Sequence, residues 1–209
     1  MKTLLIFLIL LININNAFSH SSHIKSLSRI EMEVFRNGKL IGTSNYNFEH
    51  KKDQMIVKNE TNFLVEMAGI KIFSINGNSE ELYKNEKLIY FKSSTLQNKK
   101  RKYVKLFYDK NKNLFIIDGS SFKGEASSDN IIGNWWNSKI LQSKSQISPL
   151  SGSVKEQSVK LIGKDEMMLN GKKYKLFKFS LKSTNRELPK DKKLDFTIWL
   201  EPNEGLIFK

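Results

Sequence analysis

The chain has 209 residues, with 35 Lys and Arg against 21 Asp and Glu, a formal net charge of +14 and no cysteine. That length holds one domain or two small ones, and 39% hydrophobic with 11% aromatic residues is a globular composition rather than a disordered one. The lack of cysteine excludes a disulfide framework, a thiol nucleophile, Cys-ligated zinc and iron–sulfur clusters.

In chain order, Met1-Lys2 comes first, then an apolar run from Leu4 to Ile12, a polar stretch from Asn13 to Asn16, and Ala17-Phe18-Ser19. A charged start, a short apolar run and small residues at 17 and 19 form the three parts of a secretory signal in the right order. A bilayer span needs about twenty apolar residues, more than this run supplies. Residues 1–19 are therefore expected to be a cleaved signal peptide. Residues 20–28 are expected to be a flexible mature N-terminus, and 29–209 a single β domain. The product is expected in the periplasm or secreted, and not membrane-spanning after cleavage.

From Arg29 the pattern has period two. Ile30, Met32 and Val34 alternate with Glu31, Glu33 and Phe35, and Asn37-Gly38 then supplies two residues that tolerate positive φ, as a tight hairpin turn requires. The return strand runs from Lys39 through Phe48. Further strands are expected at 53–67, 70–76, 79–84, 88–96, 103–109 and 114–118. Tyr103, Lys105 and Phe107 alternate with Val104, Leu106 and Tyr108, so both faces there are expected to be partly covered. After Asp129 the texture changes, and Asn137 or Ser138 is placed to cap one or two turns carrying Ile140 and Leu141. Strands resume at 153–163, 172–183, 193–201 and 205–209, and Asn-Gly recurs as a turn at Asn170-Gly171. The fold expected is all-β: a single curled antiparallel meander, an open or half barrel of roughly eleven to thirteen strands, with one short helix near residues 137–143.

Certain motifs recur in a known order. Asn37-Gly38-Lys39-Leu40-Ile41-Gly42 follows the first strand, Gly133-Asn134-Trp135-Trp136-Asn137 lies mid-chain with Leu150-Ser151-Gly152 after it, and Phe196-Thr197-Ile198-Trp199-Leu200 precedes Gly205. In this order they resemble an uncharacterised secreted proteobacterial family, domain of unknown function 6134. Its aromatic pair is usually Tyr-Trp where this chain has Trp135-Trp136. The resemblance covers most of residues 29–209 and implies a curled sheet similar to the outer-membrane lipoprotein carriers. It brings no activity with it.

Charge gives two readings. It suits an anionic membrane surface or an envelope protein. It suits nucleic acid poorly, because only Arg29, Arg36, Arg101 and Arg186 offer the phosphate-matching fork. The densest run, Lys99-Lys100-Arg101-Lys102, falls between two strands, where a solvated turn accounts for it.

Trp135 and Trp136 are the most distinctive pair. They either plug the mouth of the sheet or form a lid over an apolar cavity. Trp199, Phe177 and Phe179 are the other candidate ligand-binding residues. Asn37, Gly38, Gly42, Gly152 and Gly205 read as structural turn or close-approach positions. His20 and His23 could chelate copper with a free amine, but a tail is the simpler reading, so no metal and no cofactor is assigned. Catalytic residues are likewise unassigned: no Gly-x-Ser-x-Gly, His-Glu-x-x-His or phosphate loop is present. Glu60, Glu66, Glu80, Glu81 and Asp118 lack a recognisable partner, and Glu31 and Glu33 fit a solvated face. Three functions are left open. The first is a non-catalytic protein binding an apolar small molecule or lipid within a curled sheet. The second is an envelope scaffold with a packed core, and the third a carboxylate-based hydrolase.

Overall fold

The computed structural model describes residues 27–189 and 192–209. The expected signal peptide and the His20–His23 segment lie outside the described residues. Among the described residues the fold is all-β, with fourteen strands and one short 3-10 helix. The first eight strands are β1 (Arg29–Arg36), β2 (Lys39–Lys51), β3 (Gln54–Met67), β4 (Ile70–Lys84), β5 (Lys87–Gln97), β6 (Lys100–Asp109), β7 (Leu114–Gly119) and β8 (Lys123–Ser127). They pair in sequence order as one antiparallel meander. Next come β9 (Ile131–Ile132), the 3-10 turn Ser138–Leu141 and β10 (Ser145–Ile147). The chain finishes with β11 (Val154–Leu169), β12 (Lys172–Ser183), β13 (Asp195–Glu201) and β14 (Leu206–Ile207). These make a second sheet in the order β14-β13-β12-β11-β10-β9.

The antiparallel all-β expectation holds, and neither sheet closes into a barrel. The meander is divided, however. Between β8 and β10 the chain leaves the first sheet, and β9 pairs parallel with β10 through Gln146↔Ile131 and Ile147↔Ile132. Fourteen strands result where eleven to thirteen were expected, because β8, β9 and β10 are too short to show a periodicity. The sequence also suggested a break after Asn76. Instead β4 runs unbroken through Gly77. A Cβ on Gly77 would come 2.8 Å from Thr95 Oγ1, so glycine there admits a neighbour and makes no turn.

Hairpin geometry follows from φ. Asn37 and Gly38 have φ of 51° and 78°, both left-handed, as a two-residue turn matched to strand twist requires. Gly42, within β2, is needed for a different reason. A Cβ there would lie 2.0 Å from the Asn62 carbonyl oxygen on β3. Gly152 and Gly205 also hold positive φ.

The segment between the sheets builds the shared core. Ile132 and Ile147 pack with Phe91, Val104, Leu106, Phe115 and Ile117 of the first sheet. Ile140 packs with Leu181, Ile198 and Leu200 of the second. Trp136 joins Tyr46, Phe48, Val57 and Tyr83. Ser93 Oγ donates to the Pro149 carbonyl at 2.6 Å, fastening β5 to the loop after β10. On β6 one face is closed and the other partly covered: Val104 and Leu106 are buried, while Tyr103 and Phe107 are 42% and 47% exposed, in keeping with the expectation of partial cover on both faces.

Candidate functional site

The central feature is a carboxylate sealed inside the sheet interface. Strand alternation on β4 puts Glu81 and Tyr83 on the inward face, with Glu81 in register with Val57 of β3 and Phe91 of β5. Glu81 is 1% exposed. Its Oε2 accepts from the Tyr83 hydroxyl at 2.6 Å. Its Oε1 accepts from Asn134 Nδ2 at 2.8 Å and from Trp136 Nε1 at 3.0 Å. All three donors are neutral. Burial therefore dominates and pushes the Glu81 carboxyl up to about 7, with the three hydrogen bonds pulling the other way. Tyr83 is raised well above its ordinary range by burial and by the Glu81 charge. Tyr46 is pushed up to about 12, chiefly by burial. Asn134 Oδ1 is buried with no hydrogen-bond partner among the described residues.

Local structure explains how the donors arrive. Asn137 is extended (φ −104°, ψ 100°) and its side-chain oxygen accepts from the Lys139 N–H, capping the Ser138–Leu141 turn. That fixes the chain just after Trp136. Gly133 lies so close to β10 that a Cβ would meet Gln146 Oε1 at 1.9 Å. The Gln146 amide donates to Gln157 Oε1, and the Gln157 amide donates to the Ile140 and Ser143 carbonyls. The Asn134–Trp136 segment is thereby pinned at both ends. Trp136 is 2% exposed and meets Phe48 and Tyr83 edge-on at 5.4 and 5.7 Å between ring centroids.

Open clefts lie outside this core, and two are notable among the described residues. One, of about 470 Å³, lies where the sheets meet, between Tyr83, Leu88, Tyr108, Phe115 and the Asn137–Ser143 segment. The other, of about 670 Å³, lies at the β11–β12 hairpin and is lined from both faces of β12, by Tyr174 and Leu176 on one and Phe177 on the other, with Lys164, Lys172 and Lys173 beside them.

The five aromatic candidates do not form one site. Trp136 belongs to the first sheet's core. Trp135 turns the other way, edge-on to Phe196 at 5.0 Å, beside the second sheet's core, where Phe179 also packs. Phe177 and Phe179 share a face of β12 with their partners Leu200 and Ile198. Trp199 pairs with Lys178 on the opposite face, where its Nε1 donates to Asp165 Oδ2 at 2.8 Å. Phe177 alone of the five lines the larger cleft.

Sequence reasoning missed the Glu81 cluster. Asn134 and Trp136 lie 53 and 55 residues further along the chain, beyond any local pattern. One signal was available: Glu81 and Tyr83 are two apart in a strand, so they share a face, and an aromatic at one position makes the other a core position.

Among the described residues no group of three or more His, Cys, Asp or Glu is placed to hold a metal. No helix of the described residues is long and apolar enough to cross a membrane. A family model for a domain of unknown function, DUF6134, matches residues 32–207. No curated protein and no solved structure matches the chain.

Proposed function

Since the chain belongs to the DUF6134 family, whose description names no activity, we propose from the geometry and from the leader-like first nineteen residues that it is an exported, non-catalytic interaction protein of the cell envelope. The observation that carries this reading is the contrast between centre and surface. The centre is shut: Glu81, Tyr83 and Trp136 are buried against one another. Glu81 is 1% exposed and accepts from three donors held by the fold, so a substrate has no access to it. Large apolar side chains stand instead on the outside, at the ends of hairpins: Phe35, Leu40, Met67 and Ile70 on the first sheet, and Met168 and Leu169 on the second. Met67 and Ile70 stand side by side across one turn, and adjoining exposed apolar groups mark contact surfaces where single scattered ones do not. The leader-like Met1–Ser19 segment supports export.

A second reading is a carrier of an amphiphilic anion. The cleft at the β11–β12 hairpin favours it, because apolar Phe177 lines it together with Lys164, Lys172 and Lys173.

Native mass spectrometry on the protein from its own host, with an organic extract run beside it, separates the two. A clean chain mass and an empty extract are expected. A defined extra mass that appears in the extract as a lipid overturns the interaction reading in favour of the carrier, and replacing Phe177 with Asp should then release it.

A further inference from the structure

The strand register leaves part of one hairpin outside its sheet. β2 pairs with β3 only as far as Gly42↔Phe63. β5 pairs with β4 only from Gln97↔Ile75 inward, with Asn98 holding Ser74 just beyond. Residues 64–73 therefore form a two-stranded arm with no ladder partner on either side. Such an arm is marginal alone, and it is steadied by Val65, buried opposite Phe73. Its other apolar side chains face water: Met67 is 67% and Ile70 70% exposed, flanking the Ala68-Gly69 turn, with Leu64 and Ile72 exposed behind them. Ile72 is the extra residue of a bulge between Val65 and Glu66, which leaves it unpaired in the ladder.

Charge is arranged around this arm. In a meander, alternate turns lie at the same end of the sheet, so the β1–β2, β3–β4 and β5–β6 turns are together. They bring Arg36, Lys39, Lys71 and the run Lys99 to Lys102 to that end, against Glu66 on the arm itself. Among the described residues none of these cations is in an ion pair. At the opposite end, Lys51, Lys52, Lys84, Lys87, Lys110 and Lys112 stand among Asp53, Glu86, Asp109 and Glu125, and Lys84 and Lys112 are paired with Asp53 and Glu125, so the excess of cations over acids is smaller there than around the arm. The arm tip offers flexible aliphatic chains and no Trp, Tyr or Arg, the anchors that protein interfaces favour. It is a projection and not a groove, so it suits a soft surface it can enter.

We propose that this end of the first sheet docks on an anionic lipid bilayer, with Met67 and Ile70 entering the headgroup–acyl boundary and the surrounding cations meeting the lipid charges. The proposal rests on the interaction reading above and names its partner.

The lack of cysteine gives a direct test on the full chain, since Ile70→Cys creates a single labelling site for a polarity-sensitive fluorophore. Vesicles of phosphatidylglycerol and phosphatidylcholine should shift its emission to the blue, while phosphatidylcholine alone should not. The same dye on Lys52→Cys, at the opposite end of the sheet, should stay unchanged. Unlabelled protein carrying Met67→Asp and Ile70→Asp should lose at least tenfold in vesicle affinity, with its far-ultraviolet circular dichroism intact. Raising salt from 50 to 500 mM should cost the native protein a comparable factor. No shift at Ile70→Cys, equal shifts at both labels, or undiminished binding by the double variant overturns the proposal. A shift that depends on protein concentration without vesicles also overturns it, and assigns the arm to a second copy of the chain. If vesicle binding fails while native mass spectra stay clean, the interaction reading stands without this partner. A bound lipid in the extract removes the reading itself.

Discussion

Glu81 is expensive where it sits, and its cost depends on pH. Its folded value, about 7, lies above the ordinary 4.5. Between those values the folded protein holds a proton that the unfolded chain has released, so stability must fall as pH rises. The contribution is fully present below pH 4.5 and is lost by about pH 7, amounting to about 3 kcal/mol at 1.36 kcal/mol per unit. Exposed carboxylates act in the opposite direction. Glu49 and Asp118 are held low by hydrogen bonds from Lys58 and Lys123, and Asp165 by Trp199, so each loses stability as acid protonates it. The difference between native protein and Glu81→Gln isolates the buried group. Urea unfolding from pH 4.5 to 8 should show the variant gaining on the native protein as pH rises, and a constant difference would remove the charge from Glu81. Asn134 fits this picture. Its orphaned Oδ1 could accept from a protonated Glu81 if the amide turned over.

At the scale of elements, the tryptophans separate by role. Trp136→Ala would empty a buried site against Phe48 and Tyr83 and strip a donor from Glu81, a loss of about 3–5 kcal/mol. Trp199→Ala breaks one exposed hydrogen bond to Asp165 and the cation–ring contacts with Lys178 and Lys209, and should cost clearly less than Trp136→Ala. Equal losses in urea titration would mean that Trp136 does not close the core. Gly42→Ala places a methyl against the Asn62 carbonyl, and the β2–β3 pair must spread, at about 1–3 kcal/mol. Hairpins were legible because their causes are local. Asn37-Gly38 and Asn170-Gly171 both adopt left-handed φ and sit between alternating strands. Asn137 was readable as a cap for the same reason. The pair Ile131–Ile132 was not, since two residues show no period and their partner Gln146–Ile147 is defined only by burial.

The whole molecule is a packed centre with projecting ends, and the two regions should respond differently to substitution. Met67→Asp with Ile70→Asp touches nothing buried, so thermal unfolding should move by no more than about 0.5 kcal/mol, or rise as exposed apolar area is removed. A large loss would mean that the arm folds back on the sheet. The net charge of +14 acts at this scale too. It is a sum over the surface, and the sum does not say where cations lie without counter-charges. Lys99 to Lys102 reads as an ordinary solvated turn until the meander places it beside Arg36, Lys39 and Lys71.

By itself the sequence determined the all-β class, most strand limits, the Asn-Gly hairpins and the capped turn after Trp136. Alternation, turn φ and capping are settled by residues a few positions apart. Tertiary structure alone decided that the chain divides into two sheets and that Trp135 and Trp136 face different cores. It also gave Glu81 three donors and left residues 64–73 outside the ladder. Each of these depends on register and burial between segments tens of residues apart. An isolated strand carries the same side chains whether its neighbour covers them or stops short.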